Sequence, residues 1–120
     1  MHILLIEDSL NTAKLMELEL LDQGHQVTVA RDGLAGLHTA QSILPDLVLL
    51  DWKLPTLSGP EICQRLRQSG YCRPIIFVTA MSDAEHQATG QRVGGSDYLV
   101  KPFNSEVLFE RIQQQNCCAA

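Results

Sequence analysis

Long apolar runs are missing from this chain of 120 residues. None approaches the roughly 18–20 consecutive apolar residues that a helix needs to span a bilayer, so no association with a membrane is expected. A basic leader is missing too. The opening "MHILLIEDS" reaches Glu7 and Asp8 at once, unlike a secretory signal. Positive charge is scarce, with 9 Lys and Arg against 14 Asp and Glu, a net charge of −5 and a pI of about 5.2. That balance argues against gripping nucleic acid through a basic face. Any contact with nucleic acid is expected only through a downstream domain. The four cysteines, Cys63, Cys72, Cys117 and Cys118, follow neither a zinc spacing nor an evident disulfide framework. They read as free thiols of a reducing cytoplasm. Glycine-rich phosphate loops are absent as well. No G-x-x-x-x-G-K-[ST] follows the first apolar run and no G-x-G-x-x-G occurs, which removes the P-loop and leaves a dinucleotide fold unsupported.

What is present is the composition of one ordinary globular domain, 45% hydrophobic and 19% charged. Short apolar runs alternate with longer helical stretches. "HILLI" (2–6), "QVTVA" (26–30), "LVLL" (47–50), "PIIFVTA" (74–80) and "DYLV" (97–100) read as strands. Between them, helices are expected over 11–24, with Leu15, Leu18 and Leu21 at helical period, and over 32–44, stopping before Pro45. A third, over 60–70, spaces Ile62, Leu66 and the stem of Arg65, with Pro60 in its first turn. The stretch 82–94 is a weak helix, polar and interrupted by Gly90. The last helix spans 104–115 with Asn104 or Ser105 as its cap. Apolar strands joined by helices imply a parallel sheet covered on both faces, with right-handed crossovers. Residues 1–115 form one domain, and "NCCAA" (116–120) reads as a tail or the start of a linker.

In such a doubly wound sheet, sites form beyond the carboxyl ends of the strands. The residues arriving there are Glu7 and Asp8, then Asp51, then Thr79 and Ala80, then Lys101 and Pro102. Two carboxylate charges about 4 Å apart repel by roughly 4 kcal/mol at an effective dielectric near 20. Three acids gathered at one rim therefore call for cations. Lys101 supplies one, and a hard divalent ion such as Mg²⁺ suits the rest, since it binds carboxylates and shares phosphate oxygens. The set favours phosphoryl chemistry, with Asp51 as nucleophile and Thr79 and Lys101 stabilising the transferred group. Dehalogenase-type phosphatases are the enzymatic rival. They place a second Asp two positions after the nucleophile, where this chain has Lys53.

"LLIEDS", "LVLLDWKLPTLSG", "PIIFVTA" and "DYLVKPF", in this order and spacing, resemble the receiver domain of two-component response regulators, and are most similar to the OmpR/PhoB branch. The resemblance covers about residues 2 to 115. It implies a flavodoxin-like fold of five parallel strands in the order 2-1-3-4-5 with five helices. It implies that Asp51 accepts a phosphoryl group from a sensor histidine kinase or phosphotransfer protein. Asp8 and Asp51 would bind Mg²⁺ directly, with the backbone carbonyl of Lys53, and Glu7 mostly through water. Thr79 would be the switch hydroxyl, with Ala80 beside it, Tyr98 the switch aromatic and Lys101 the phosphate-binding lysine. The Lys101–Pro102 peptide would be cis. A signalling switch rather than a turnover enzyme is implied, with a homodimer through the last two helices and an attached DNA-binding domain as its outlets. Departures from the pattern are Glu7 in place of the commoner Asp, Ser96 before Asp97 where paired acids are frequent, and Gln87 and Val107 where charges are common.

Three readings therefore compete: the switch, a Mg²⁺-dependent phosphatase using Asp51, and a receiver that only docks. His2, His25, His38 and His86 lack metal-like spacing and read as structural or solvated. Trp52 reads as packing near the site.

Overall fold

The computed structural model describes residues 1–117. Ten elements alternate: β1 (His2–Ile6), α1 (Leu10–Asp22), β2 (Gln26–Ala30), α2 (Gly33–Ile43), β3 (Leu47–Leu50), α3 (Gly59–Gln68), β4 (Ile75–Thr79), α4 (Ala84–Arg92), β5 (Asp97–Val100) and α5 (Ser105–Cys117). All strand pairs are parallel and the sheet order is β2-β1-β3-β4-β5. The strands at the centre carry no polar alternation because both faces are covered, and β3 and β4 are buried at every residue.

Two apolar layers result. On one side, α2 and α3 deliver Leu37, Ala40, Ile62, Cys63 and Leu66 against Leu4, Ile6, Val48, Leu50 and Phe77. On the other, α1 and α5 deliver Ala13, Met16, Leu20, Leu108 and Ile112 against Ile3, Leu5, Leu49 and Val78. Alternation along each strand decides which layer a side chain joins.

Several expectations are corrected. In α1 the periodic leucines face out: Leu15, Leu18 and Leu21 are exposed, and Ala13, Met16 and Leu20 face the core. Both sets have helical spacing, and it is the set with Ala13 that sits against the sheet. In α3 it is Cys63, not the stem of Arg65, that joins Ile62 and Leu66 in the core. Gly90 does not interrupt α4 but lies within it, buried against the rings of Tyr98 and Phe77. α1 is capped by Ser9, whose Oγ accepts the Thr12 N–H at 3.4 Å. At the far end, Asn104 Oδ1 accepts the Glu106 N–H at 2.9 Å, and α5 continues to Cys117, past the expected boundary at 115. Residues 118–120 of the expected tail lie outside the described residues.

Candidate functional site

Backbone hydrogen bonds carry the sheet one residue beyond its strands and place the site. The Glu7 N–H donates to the Ala30 carbonyl at 3.0 Å, the Asp51 N–H to Ile6 at 3.1 Å and the Lys101 N–H to Thr79 at 2.8 Å. Glu7, Asp51 and Lys101 are thus hung on the main chain of neighbouring strands. The loop after β3 then folds away from the rim. The Gly59 N–H donates to the Trp52 carbonyl at 2.8 Å, and any Cβ on Gly59 would run into the Asp51 carbonyl, with the Trp52 Cα only 3.0 Å away. Glycine is needed there for close approach. Pro55 accepts the Gly33 N–H at 2.9 Å, and Thr56, at φ +69°, donates its hydroxyl to Asp32 at 3.1 Å.

One carboxylate oxygen from each of Glu7, Asp8 and Asp51 lies within 4.8 Å of the others. Three carboxylate oxygens this close have the donor chemistry that a hard divalent cation takes. Asp8 is exposed and Asp51 half-buried, which leaves the cluster open to solvent. Glu7 is buried, at 2% exposure. Burial pushes its pKa up; the Lys101 ammonium opposes this, and the Asp51 carboxylate adds to it. Lys101 Nζ contacts Glu7 Oε1 directly and lies 3.3 Å from Asp51 Oδ2. Burial alone would lower the lysine pKa; Glu7 and Asp51 outweigh it and raise it. The other Asp51 oxygen, Oδ1, accepts the Trp52 N–H at 2.7 Å.

Thr79 closes β4, buried at 1% exposure, and Ala80 beside it is exposed. The Thr79 Oγ accepts the Met81 N–H at 3.3 Å, so its own proton is left to donate. The Met81 carbonyl in turn accepts the Tyr98 hydroxyl at 2.6 Å. Tyr98 is half-buried and its phenol pKa is raised, by burial first and then by the Asp83 and Asp51 charges. The Lys101–Pro102 peptide is cis. The Lys53 side chain is exposed two residues past Asp51.

The rim therefore brings together Glu7, Asp8, Asp51, Thr79 and Lys101. Sequence reasoning missed two connections. The Met81 peptide joins Thr79 to Tyr98, and Trp52 packs edge-on to His86 with ring centroids 5.1 Å apart. Neither has a sequence signal, because each joins a loop to an element distant in the chain, Met81 to β5 and Trp52 to α4. Cys63 and Cys72 are free thiols. Among the described residues no helix is long and apolar enough to cross a membrane.

The family model "Response regulator receiver domain" matches residues 3–113. Among curated proteins, the response regulator ArlR of Staphylococcus haemolyticus is 46% identical over 112 residues, covering 93% of this chain and 51% of that protein. ArlR of Staphylococcus aureus strain Mu50 is 43% identical over 112 residues, with 93% and 51% covered. The chain thus spans about half the length of the curated relatives it matches. Among solved structures, the Francisella response regulator 1452 receiver domain superposes with a TM-score of 0.94 at 27% identity, covering 99% of this chain and 98% of that one. The BeF3-activated N-terminal receiver domain of Klebsiella pneumoniae RstA gives 0.92 at 28%, with 96% and 97% covered.

Proposed function

Since the chain belongs to the response regulator receiver domain family, we propose that Asp51 is its phosphoacceptor and that phosphorylation there switches the face built by α4, β5 and α5. The observation that carries this reading is the rim itself: three carboxylates, a buried hydroxyl and an ammonium on four adjacent strands.

The donor is a sensor histidine kinase or a phosphotransfer protein. An Asp51 oxygen forms a bond to phosphorus as the P–N bond to the donor imidazole breaks, and the imidazole leaves with the bonding pair. Glu7, Asp8, Asp51 and the Lys53 carbonyl would hold Mg²⁺, which supplies charge neutralisation on the transferring oxygens. Glu7 keeps Lys101 at the rim, and Lys101 faces the Asp51 oxygen that it would steady after transfer. Of the exposed leucines of α1, Leu15 lies beside this entrance. Leu15 and Met16 share a groove of about 430 Å³ with Ala80, Lys101 and Phe103, which suits an apolar helical face on the donor.

A phosphoryl group adds about −1.5 to −2 charges. Charge-assisted bonds from Thr79 and Lys101 contribute about 1.5–3 kcal/mol each, about 3–6 kcal/mol together. Inverting a two-state population from 1:99 takes about 5.5 kcal/mol, so two bonds suffice for a balanced element. Thr79 moving toward the phosphate draws on the Met81 N–H, and the Met81 carbonyl draws on Tyr98. The output is pairing with a second copy through the α4-β5-α5 face and control of an attached DNA-binding domain, in the cytoplasm. On this face Arg111 pairs within its own chain to Asp97 at 2.8 Å.

Incubation with acetyl phosphate and Mg²⁺ should add one phosphoryl group by intact mass, without steady turnover of a phosphomonoester. Asp51→Asn should abolish the label. Labelling that persists in Asp51→Asn sinks the assignment, and turnover of many equivalents would favour a phosphatase. A chain that stays monomeric by light scattering when fully labelled would remove the dimer from the reading.

A further inference from the structure

Tyr98 is not the only aromatic side chain that ties the acceptor loop to α4. Trp52 follows Asp51 directly, and its backbone N–H is already bonded to the Asp51 carboxylate. Its ring is held by three others. The Phe77 centroid lies 5.3 Å away, Tyr98 6.0 Å away at 65° and His86 5.1 Å away at 67°. Phe77 belongs to the rigid sheet. His86 belongs to the first turn of α4, where its Nδ1 lies 2.6 and 2.7 Å from the two Asp83 carboxylate oxygens. Asp83 is the N-cap of that helix and also accepts the His86 N–H at 3.2 Å. One imidazole therefore touches the residue after the phosphoacceptor on one side and grips the start of α4 on the other. α4 itself buries only Gly90. Few other contacts compete with the His86 grip.

We propose that the Trp52–His86 ring contact is a second link from Asp51 to the first turn of α4, parallel to the route through Thr79, Met81 and Tyr98. A new charge on Asp51 alters the carboxylate that accepts the Trp52 N–H and so shifts residue 52. The ring passes that shift to His86, whose own place in the first turn of α4 carries it into the helix. An edge-on aromatic pair biases a two-state equilibrium by about two- to twelve-fold, enough to tune a switch without driving it alone. Thr79 and Lys101 remain the main drivers, and His86 acts as a positioning residue.

The link rests on Asp51 being the acceptor, so labelling with acetyl phosphate is followed by intact mass in the same samples. The probe for α4 is beryllium fluoride with Mg²⁺, read as changes in the backbone amide resonances of Glu85 and Gln87 and in the fluorescence of Trp52. In the unsubstituted chain both should respond. In His86→Ala the amide response should fall by about half or more, with full labelling and an unchanged response of the Tyr98 ring. His86→Phe keeps the ring contact but loses the Asp83 bond, and should restore the response. A wild-type response in His86→Ala overturns the link. So does a His86→Phe chain that responds no better than His86→Ala, because the Asp83 bond alone would then hold the helix. Absence of label in the unsubstituted chain overturns the underlying assignment and the link together.

Discussion

α3 and α4 each border the layer that holds Phe77, yet they are attached in different ways. α3 sinks Ile62, Cys63 and Leu66 completely into the core. α4 buries only Gly90 and is held by its Asp83 cap, by the edges of aromatic rings and by a thiol contact from Cys63 to the Val93 carbonyl at 3.5 Å. Full burial of one large aliphatic side chain contributes about 1.5–3 kcal/mol. Ile62 and Leu66 alone match the roughly 3–6 kcal/mol that two charge-assisted bonds to a phosphate supply, and Cys63 adds to their hold on α3. α4 buries no large aliphatic side chain of its own. Apolar burial thus decides which part of the molecule a small charge change can move, and the loosely seated helix is the one that borders the acceptor loop.

The largest test of that contrast is core truncation. Leu66→Ala in α3 should lower unfolding free energy by about 2–5 kcal/mol. An exposed change in α4 such as Gln87→Ala should stay within about 0.5 kcal/mol, both measured by urea denaturation. Equal losses would mean that α4 is as firmly seated as α3. Next in size is Gly90→Val. A Cβ at Gly90 already meets Tyr98 Cδ2 at 3.2 Å and Phe77 Cδ2 at 3.3 Å, and a branched side chain must displace one ring. Overpacking of this kind costs about 1–3 kcal/mol, and the Tyr98 ring resonances should shift with it.

The rim gives a third test, through pH. The Glu7 pKa is raised in the folded state above its ordinary 4.5 by burial. The native state therefore holds this proton more tightly than the unfolded chain does. Glu7's contribution to stability is greatest below pH 4.5 and is lost as pH rises through the raised value. Glu7→Gln should flatten that fall, and Mg²⁺, which favours the ionised carboxylate, should move it to lower pH. A stability profile unchanged by the substitution would contradict the burial argument. The smallest effect is chemical. Burial holds the Cys63 thiol at a pKa of about 11, whereas Cys72 is exposed. Alkylation at pH 8 should mark Cys72 in minutes and Cys63 only when α4 lifts, so the Cys63 rate becomes a clock for that motion.

Much of this was legible before any coordinates. Apolar runs marked all five strands, and the residue after each run marked the rim, because a parallel sheet sends every strand end to one side. Faces of helices were harder. Leu15, Leu18 and Leu21 satisfy helical spacing as well as Ala13, Met16 and Leu20 do, and spacing alone does not say which set meets the sheet. Gly90 suggested a break because glycine is a poor helix former, whereas tertiary packing against two rings sets its role. The contacts through Met81 and His86 had no local signature at all, since each depends on where a loop comes to rest against a distant element.

The main-chain bonds that hang Glu7, Asp51 and Lys101 from neighbouring strands carry one more consequence. Peptide groups are the same whatever side chains they bear. The chemical centre is therefore insulated from substitutions on the outer surfaces of α1 and α4. Those surfaces can change while Glu7, Asp51 and Lys101 keep their main-chain anchors.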